Sequence, residues 1–140
     1  MNAKRKVFLD SNILIYAQDM DAGARHDTAR NLVEGCWQGD FDPTVSIQVL
    51  QECHVNFVKK GIAVAESQQR VGRYLQWVVV ENSRALLRRA FEVQLRWGFS
   101  FWDSGIVAAA LRAGVDELWT EDLQDGQVIE SLVVRNPLLP

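Results

Sequence analysis

Short apolar runs alternate along the chain with longer segments in which apolar residues recur every three or four positions. The runs predict buried strands, and the helical spacing predicts amphipathic helices. The predicted strands span residues 6–10, 44–46, 77–80, 117–120 and 132–135. The predicted helices span residues 12–17, 26–37, 47–60, 63–76, 82–97 and 101–113. Because alternating strands and helices form βαβ units, the order predicts a three-layer α/β/α fold with a central parallel sheet.

Length and composition predict a single domain over residues 1–140. The chain has 140 residues, 48% of them hydrophobic, which is enough for one real core, and no Pro/Gly/Ser-rich linker divides it. No apolar run approaches the roughly 18 residues of a membrane span. The run Val7–Leu9 after the basic N-terminus is too short for the core of a signal peptide. We therefore expect a cytoplasmic protein without a membrane segment.

Four acidic residues occupy positions that a parallel α/β sheet brings to one edge. Asp10 ends the first strand, and Asp122 lies two residues beyond the strand 117–120. Ligands bind in such folds at the carboxyl ends of the strands. Asp103 falls in the first turn of one helix and Glu52 in the second turn of another, each bordering an apolar face. Since helices that follow parallel strands begin at that same edge, the four carboxylates are predicted to converge.

A cluster of this kind favours metal-dependent chemistry. Carboxylates within a few ångströms raise each other's pKa unless a cation is present. All-oxygen ligands suit Mg²⁺ or Mn²⁺, and the two cysteines and two histidines show no zinc-site spacing. A metal held in this way activates water for phosphodiester hydrolysis. Taken singly, each acid is better explained as a helix cap or a solvated helix end, so the prediction rests on the four together.

Charge and aromatic residues leave the role of nucleic acid open. The net charge of −3 argues against a large basic surface, although cations bound to clustered acids would cancel part of it. Arg84 and Arg88, one helical turn apart, could guide an RNA backbone or form a solvated face. Most tryptophans lie on apolar stripes or strands, which predicts that their side chains are buried in the core. Trp102, beside Asp103, is the one considered for substrate contact.

Four segments carry a resemblance to a known family. They are Phe8–Ala17 (FLDSNILIYA), Ser46–Glu52 (SIQVLQE), Ser100–Asp103 (SFWD) followed by Ile106–Ala110 (IVAAA), and Thr120–Gln124 (TEDLQ). In their order and spacing they resemble the PIN-domain ribonucleases, and among these the VapC-type toxins of bacterial toxin–antitoxin pairs. The resemblance covers nearly the whole chain. It implies a PIN-like fold and a metal-dependent endoribonuclease.

The resemblance also implies roles for individual residues. The acidic quartet that it implies is Asp10, Glu52, Asp103 and Asp122. Mg²⁺, or Mn²⁺ in its place, would be held by Asp10, Asp103 and Asp122. Asn12 and Thr120 match small polar positions near the site, where they would orient ligands or water by hydrogen bonding; a local cap or turn explains them equally well. The partners implied are an RNA substrate, a VapB-type antitoxin and a second copy of the chain.

Two places depart from the family pattern. Ser104-Gly105 stands where larger apolar residues are expected. A glycine there costs a helix about 0.5–1 kcal/mol relative to alanine and could loosen the segment that carries Asp103. Asp125 stands where relatives carry histidine, and its neighbour Gly126 favours a turn residue over a fifth carboxylate at the site.

Two other functions compete with the nuclease. A phosphohydrolase of the haloacid dehalogenase type would use Asp10 as a covalent nucleophile, but such enzymes need a second acid two residues on, where this chain has Asn12. The other alternative is a catalytically degenerate PIN-like module that binds RNA or a protein partner. The intact quartet favours catalysis, whereas Ser104-Gly105 keeps the binding module open.

Overall fold

A computed structural model describes residues 4–140. Strands and helices alternate along them, as the sequence predicts. The strands are β1 Arg5–Leu9, β2 Phe41–Ser46, β3 Val78–Val80, β4 Glu117–Trp119, β5 Val128–Ile129 and β6 Leu132–Arg135. The helices are α1 Ser11–Gln18, α2 Ala24–Gln38, α3 Ile47–Lys59, α4 Val64–Gly72, α5 Arg84–Trp97 and α6 Phe101–Ala113. Short 3₁₀ turns follow α1 and α4, over Met20–Ala22 and Arg73–Gln76.

The strands form one sheet in the order β3-β2-β1-β4-β6-β5. Every neighbouring pair is parallel except β5 and β6, which form an antiparallel hairpin at the edge. Helices flank this sheet: α1 packs on α2 and α3, while α5 and α6 pair and α6 lies against β2, β3 and β4. The predicted α/β fold with a central parallel sheet is therefore confirmed. The hairpin strand β5 was not predicted.

The core lies on both faces of the two central strands. Val7, Phe8 and Leu9 of β1 and Leu118 of β4 are fully buried. Such continuous apolar runs are typical of parallel strands that helices cover on both sides. The carboxyl ends of β1, β2 and β4 meet at one edge of the sheet, where α1 and α3 also begin. This edge is where the predicted site residues are expected.

Serine caps set the starts of three helices. Ser46, Ser83 and Ser100 each accept a hydrogen bond from a backbone N–H in the first turn of α3, α5 and α6, at 3.3, 3.0 and 3.1 Å. The predicted helix over residues 63–76 is wrong in its last turn, because α4 ends at Gly72 and the chain tightens into a 3₁₀ turn over Arg73–Gln76. That turn places Tyr74 in the core, packed against the Trp77 ring at 4.8 Å between centroids. None of the helices within residues 4–140 has the length and apolar content needed to cross a membrane.

Candidate active site

Asp10 lies where β1 passes into α1 at the carboxyl edge of the sheet. Its backbone N–H donates to the carbonyl of Trp119 at 3.0 Å, which joins the ends of β1 and β4. Its carboxylate accepts a hydrogen bond from the backbone N–H of Ser11 at 2.7 Å and another from the Thr120 hydroxyl at 2.8 Å. Only 3% of the residue is exposed. These bonds fix the carboxylate between the two central strands.

Thr120 and Asn12 connect Asp10 to Asp122. The Thr120 hydroxyl oxygen accepts from the Asn12 amide at 3.3 Å and from the backbone N–H of Asp122 at 3.1 Å. The same Asn12 amide donates to the Asp122 carboxylate at 3.2 Å. Thr120 is fully buried, whereas Asp122 is exposed. The two small polar residues therefore lie between two of the predicted carboxylates: Thr120 donates to that of Asp10, and Asn12 donates to that of Asp122.

Glu52 reaches the same edge from α3. One of its carboxylate oxygens lies 3.4 Å from the Ser11 hydroxyl, which is itself 3.5 Å from the Asp10 carboxylate. The other oxygen accepts from the Gln48 amide at 3.2 Å. Gln48 also donates to the backbone carbonyl of Trp102 at 3.1 Å, so one amide joins α3 to the start of α6. Glu52 is thus held by two neighbours that the sequence interpretation did not single out.

Asp103 completes the set from the first turn of α6. Its backbone N–H donates to the Ser100 cap, which fixes the turn at the edge of the sheet. Its carboxylate lies close enough to Glu52 and Asp122 to raise the pKa of both. The structure therefore brings all four predicted carboxylates to one edge, each from a different segment of the chain.

The pKa values of Asp10, Glu52 and Asp122 are raised in the cluster. Burial raises the pKa of Asp10 to about 7; the charges of Asp122 and Glu52 add to this, while hydrogen bonds from Thr120 and Ser11 oppose it. Partial desolvation of the carboxyl also raises the pKa of Glu52 and of Asp122, although both residues keep an exposed surface, and in both the charge of Asp103 adds to the effect. The charges of Glu52, Asp103 and Asp122 thus make neighbouring carboxyls harder to ionise, which is the condition that a bound cation relieves.

The donor set fits a hydrated Mg²⁺. Within residues 4–140, no three acidic, histidine or cysteine side chains lie close enough to form a preformed cage for a metal. Mg²⁺ needs no such cage, because it keeps several waters and usually binds one or two carboxylates. The Oδ1 atom of Asn12 is buried beside Asp122 without a hydrogen-bond partner in the described chain, and it adds an oxygen acceptor to the edge. The oxygen-only chemistry of the edge suits Mg²⁺ or Mn²⁺ and gives no zinc site.

Ser104-Gly105 has a structural reason. The Ser104 hydroxyl is fully buried and donates to the carbonyl of Ser100 at 2.8 Å, which ties down the first turn of α6. A Cβ on Gly105 would lie 2.6 Å from the side-chain oxygen of Gln48. Glycine therefore lets the Gln48 amide pass close to α6 and reach both Glu52 and the Trp102 carbonyl. Sequence alone suggested a loosened helix, whereas the structure shows a close contact.

A second polar cluster flanks the carboxylates. The Tyr16 hydroxyl donates to Glu121 at 2.7 Å, and Arg25 lies 3.9 Å from the other oxygen of Glu121. The sequence interpretation missed this group, since neither its spacing nor its residue types form a motif. Asp125 takes no part in the site: its carboxylate accepts from the backbone N–H of Asn136 at 2.9 Å, next to Gly126 with φ +83°. The prediction that Asp125 is a turn residue is confirmed.

Comparison with known proteins identifies the fold. No family model and no curated protein sequence matches the chain. A toxin–antitoxin complex from Klebsiella pneumoniae aligns with a TM-score of 0.69 and 20% identity over 94% of this chain and 97% of that one. VapBC2 from Rickettsia felis, bound to a promoter DNA fragment, aligns with a TM-score of 0.65 and 18% identity, over 93% of this chain and 97% of that one. VapC20 of Mycobacterium tuberculosis, a toxin that cleaves the sarcin–ricin loop, aligns with a TM-score of 0.63 and 20% identity, over 83% of this chain and 89% of that one. The chain has the PIN-like fold of VapC toxins.

Proposed function

We propose that this chain is a Mg²⁺-dependent endoribonuclease and the toxin of a type II toxin–antitoxin pair, acting on RNA in the cytoplasm. The observation that carries the proposal is the meeting of four carboxylates from separate segments at the carboxyl edge of the sheet: Asp10, Glu52, Asp103 and Asp122. The shared fold supports it, because one protein with this fold is described as a toxin that cleaves the sarcin–ricin loop.

The residues of the chain divide the chemistry among them. Asp10, Asp103 and Asp122 would hold Mg²⁺, some directly and some through the waters that the ion keeps; when bound, the ion supplies an activated water and neutralises charge on the phosphate. Thr120 and Ser11 keep the Asp10 carboxylate in one orientation. Asn12 does the same for Asp122. Glu52 would accept a proton from the attacking water, and the rise in its pKa makes it a better base than an ordinary glutamate.

Two protein partners belong to the proposal. The structures from Klebsiella pneumoniae and Rickettsia felis are toxin–antitoxin complexes, which supports a VapB-type antitoxin as the partner of this chain. A second copy is the other proposed partner. Phe91 and Leu95, one turn apart on α5, are 49% and 89% exposed and offer an apolar surface for a homodimer.

The test is cleavage of a mixed panel of end-labelled RNAs by the purified protein, freed of any antitoxin, in Mg²⁺, Mn²⁺ or EDTA. We expect cuts that need the metal and leave no 2′,3′-cyclic phosphate, because water and not the ribose hydroxyl attacks the phosphate. A 2′-O-methyl group at the cut site should therefore be tolerated. If the metal-loaded protein cuts no RNA in the panel, the nuclease proposal fails and the binding-module alternative replaces it.

Gly105→Ala is expected to separate activity from stability. The new Cβ would displace Gln48 and so release Glu52, and we expect cleavage to fall several-fold. Alanine also favours a helix interior by about 0.5–1 kcal/mol, which offsets the lost contacts, so the free energy of unfolding should change little. Cleavage rates and urea denaturation of the same preparations measure the two effects.

Gly72→Ala is the matched control for that variant. Gly72 ends α4 with helical backbone angles, and a Cβ there meets nothing within 4 Å. The Gly72→Ala variant should gain a comparable helix stabilisation and cleave RNA at the wild-type rate. If Gly105→Ala cleaves RNA at the wild-type rate, Gln48 does not orient Glu52.

A further inference from the structure

A cavity of about 470 Å³ adjoins the carboxylates between α3 and the starts of α5 and α6. Its volume lies within the roughly 300–1,000 Å³ that is typical of small-ligand sites. The residues that line it include Gln48, Gln51, Asn82, Arg84, Phe101 and Trp102. Gln48 forms the boundary with the acidic cluster, because its amide donates both to Glu52 and to the Trp102 carbonyl. A molecule in this cavity would therefore lie directly beside the proposed scissile phosphate.

The lining combines three kinds of recognition group. The Trp102 indole is 66% exposed and packs edge-on against Phe101 at 5.1 Å between ring centroids, which leaves it available for stacking. The side-chain amides of Gln51 and Asn82 each offer both a donor and an acceptor. Arg84 is exposed and makes no ion pair with any acidic residue within residues 4–140. An aromatic face, amides and a free guanidinium match the base ring, base edge and phosphate of a nucleotide.

We propose that this cavity binds one nucleotide of the RNA next to the scissile phosphate and so selects where the RNA is cut. The proposal rests on the proposed nuclease function. Charge favours an anionic occupant, because Arg84 supplies a positive charge in the cavity, on the far side of Gln48 from the carboxylates that would repel a phosphate. The base stacks on Trp102 while its edge meets Gln51 and Asn82.

Two variants and two matched controls test the assignment. Trp102→Leu removes the stacking surface but keeps a good helix former, and Arg84→Gln removes the cation. Arg112→Gln, near the far end of α6, removes an equal exposed charge outside the cavity, and Met20→Ala removes an exposed apolar side chain in the turn after α1, also outside the cavity. The probes are fluorescein-labelled hexamers of A, C, G and U, bound in EDTA at low salt. Cleavage of the RNA panel in Mg²⁺ is measured for each protein.

The expected result is a loss of roughly tenfold in hexamer affinity for Trp102→Leu, with a smaller difference among the four bases. In cleavage, KM should rise with little change in kcat, and the preference for the wild-type cut sites should relax. Arg84→Gln should weaken all four hexamers about equally, since it contacts phosphate. Both controls should bind and cut like the wild type, and circular dichroism should show all variants folded.

Several results would overturn the assignment. Unchanged affinity and cut sites in Trp102→Leu and Arg84→Gln would remove the cavity from RNA recognition and leave the nuclease standing. Failure of the wild type to bind any hexamer would likewise remove the cavity from RNA recognition and leave the nuclease proposal standing. Loss of dimerisation in Trp102→Leu with RNA binding intact would assign the cavity to a second copy. If the wild type cuts no RNA but binds hexamers through Trp102, the nuclease fails while the nucleotide site stands.

Discussion

Asp10→Asn is expected to lower Mg²⁺-dependent RNA cleavage by at least about a hundredfold while the protein stays folded. Loss of a group that only supports a metal ligand typically costs 10- to 100-fold, and Asp10 is proposed as a direct ligand. The shape of the site is kept: the new amide oxygen can accept from the Ser11 N–H. Its NH₂ group would face the Thr120 oxygen, which already accepts from Asn12 and Asp122, so the variant loses the hydrogen bond to Thr120 but also removes a buried negative charge. Cleavage rate and thermal unfolding of the same sample separate chemistry from folding.

Asp42→Asn is the charge-matched control. Asp42 is exposed near the start of β2, at the opposite edge of the sheet, and its loss should leave cleavage at the wild-type rate. Asp103→Asn should behave like Asp10→Asn, since both carboxylates are proposed to hold the same cation. Near-wild-type cleavage by either site variant would contradict its assignment as a metal ligand.

Much of this arrangement can be predicted from the sequence, because strong local signals coincide with the tertiary contacts. The apolar run Val7–Leu9 is buried on both faces, and Asp10 follows it at the strand end. Ser46 and Ser100 begin α3 and α6 as expected, which fixes the turns that carry Glu52 and Asp103. Once the strands are parallel, their shared carboxyl edge determines where these acids meet.

The remaining features depend on contacts between segments that lie far apart in the chain. The strand β5 has only two residues, too few for a periodic pattern, and it exists because it pairs with β6. Gln48 lies one turn before Glu52, so their contact could have been found from helical spacing. The close approach of Gly105 to Gln48 could not have been found from the sequence, because nothing in either segment shows how near α3 lies to α6. Trp102 was considered for substrate contact from its position beside Asp103, and in the structure it is exposed.

The buried carboxyl of Asp10 predicts an unusual dependence of stability on pH. Its pKa rises from an ordinary value of 3.8 to about 7 on folding, chiefly through burial. Between these values the folded protein binds more protons than the unfolded chain, so the free energy of unfolding must fall as pH rises. The stability that protonated Asp10 contributes is complete below about pH 4 and lost as pH rises through about 7.

This dependence should appear in the metal-free protein and disappear in Asp10→Asn. In EDTA, the wild type should lose stability relative to Asp10→Asn between pH 4 and 7, by at most about 1.4 kcal/mol per pH unit. Because metal ligands must be deprotonated, Mg²⁺ should stabilise the wild type more at pH 7 than at pH 5, and should affect Asp10→Asn far less. Urea denaturation of both proteins across this range, with Mg²⁺ or EDTA, measures each effect. A difference between the two proteins that stays constant with pH would mean that Asp10 is ionised in the folded, metal-free protein throughout this range, and that the cluster tolerates its charge without a cation.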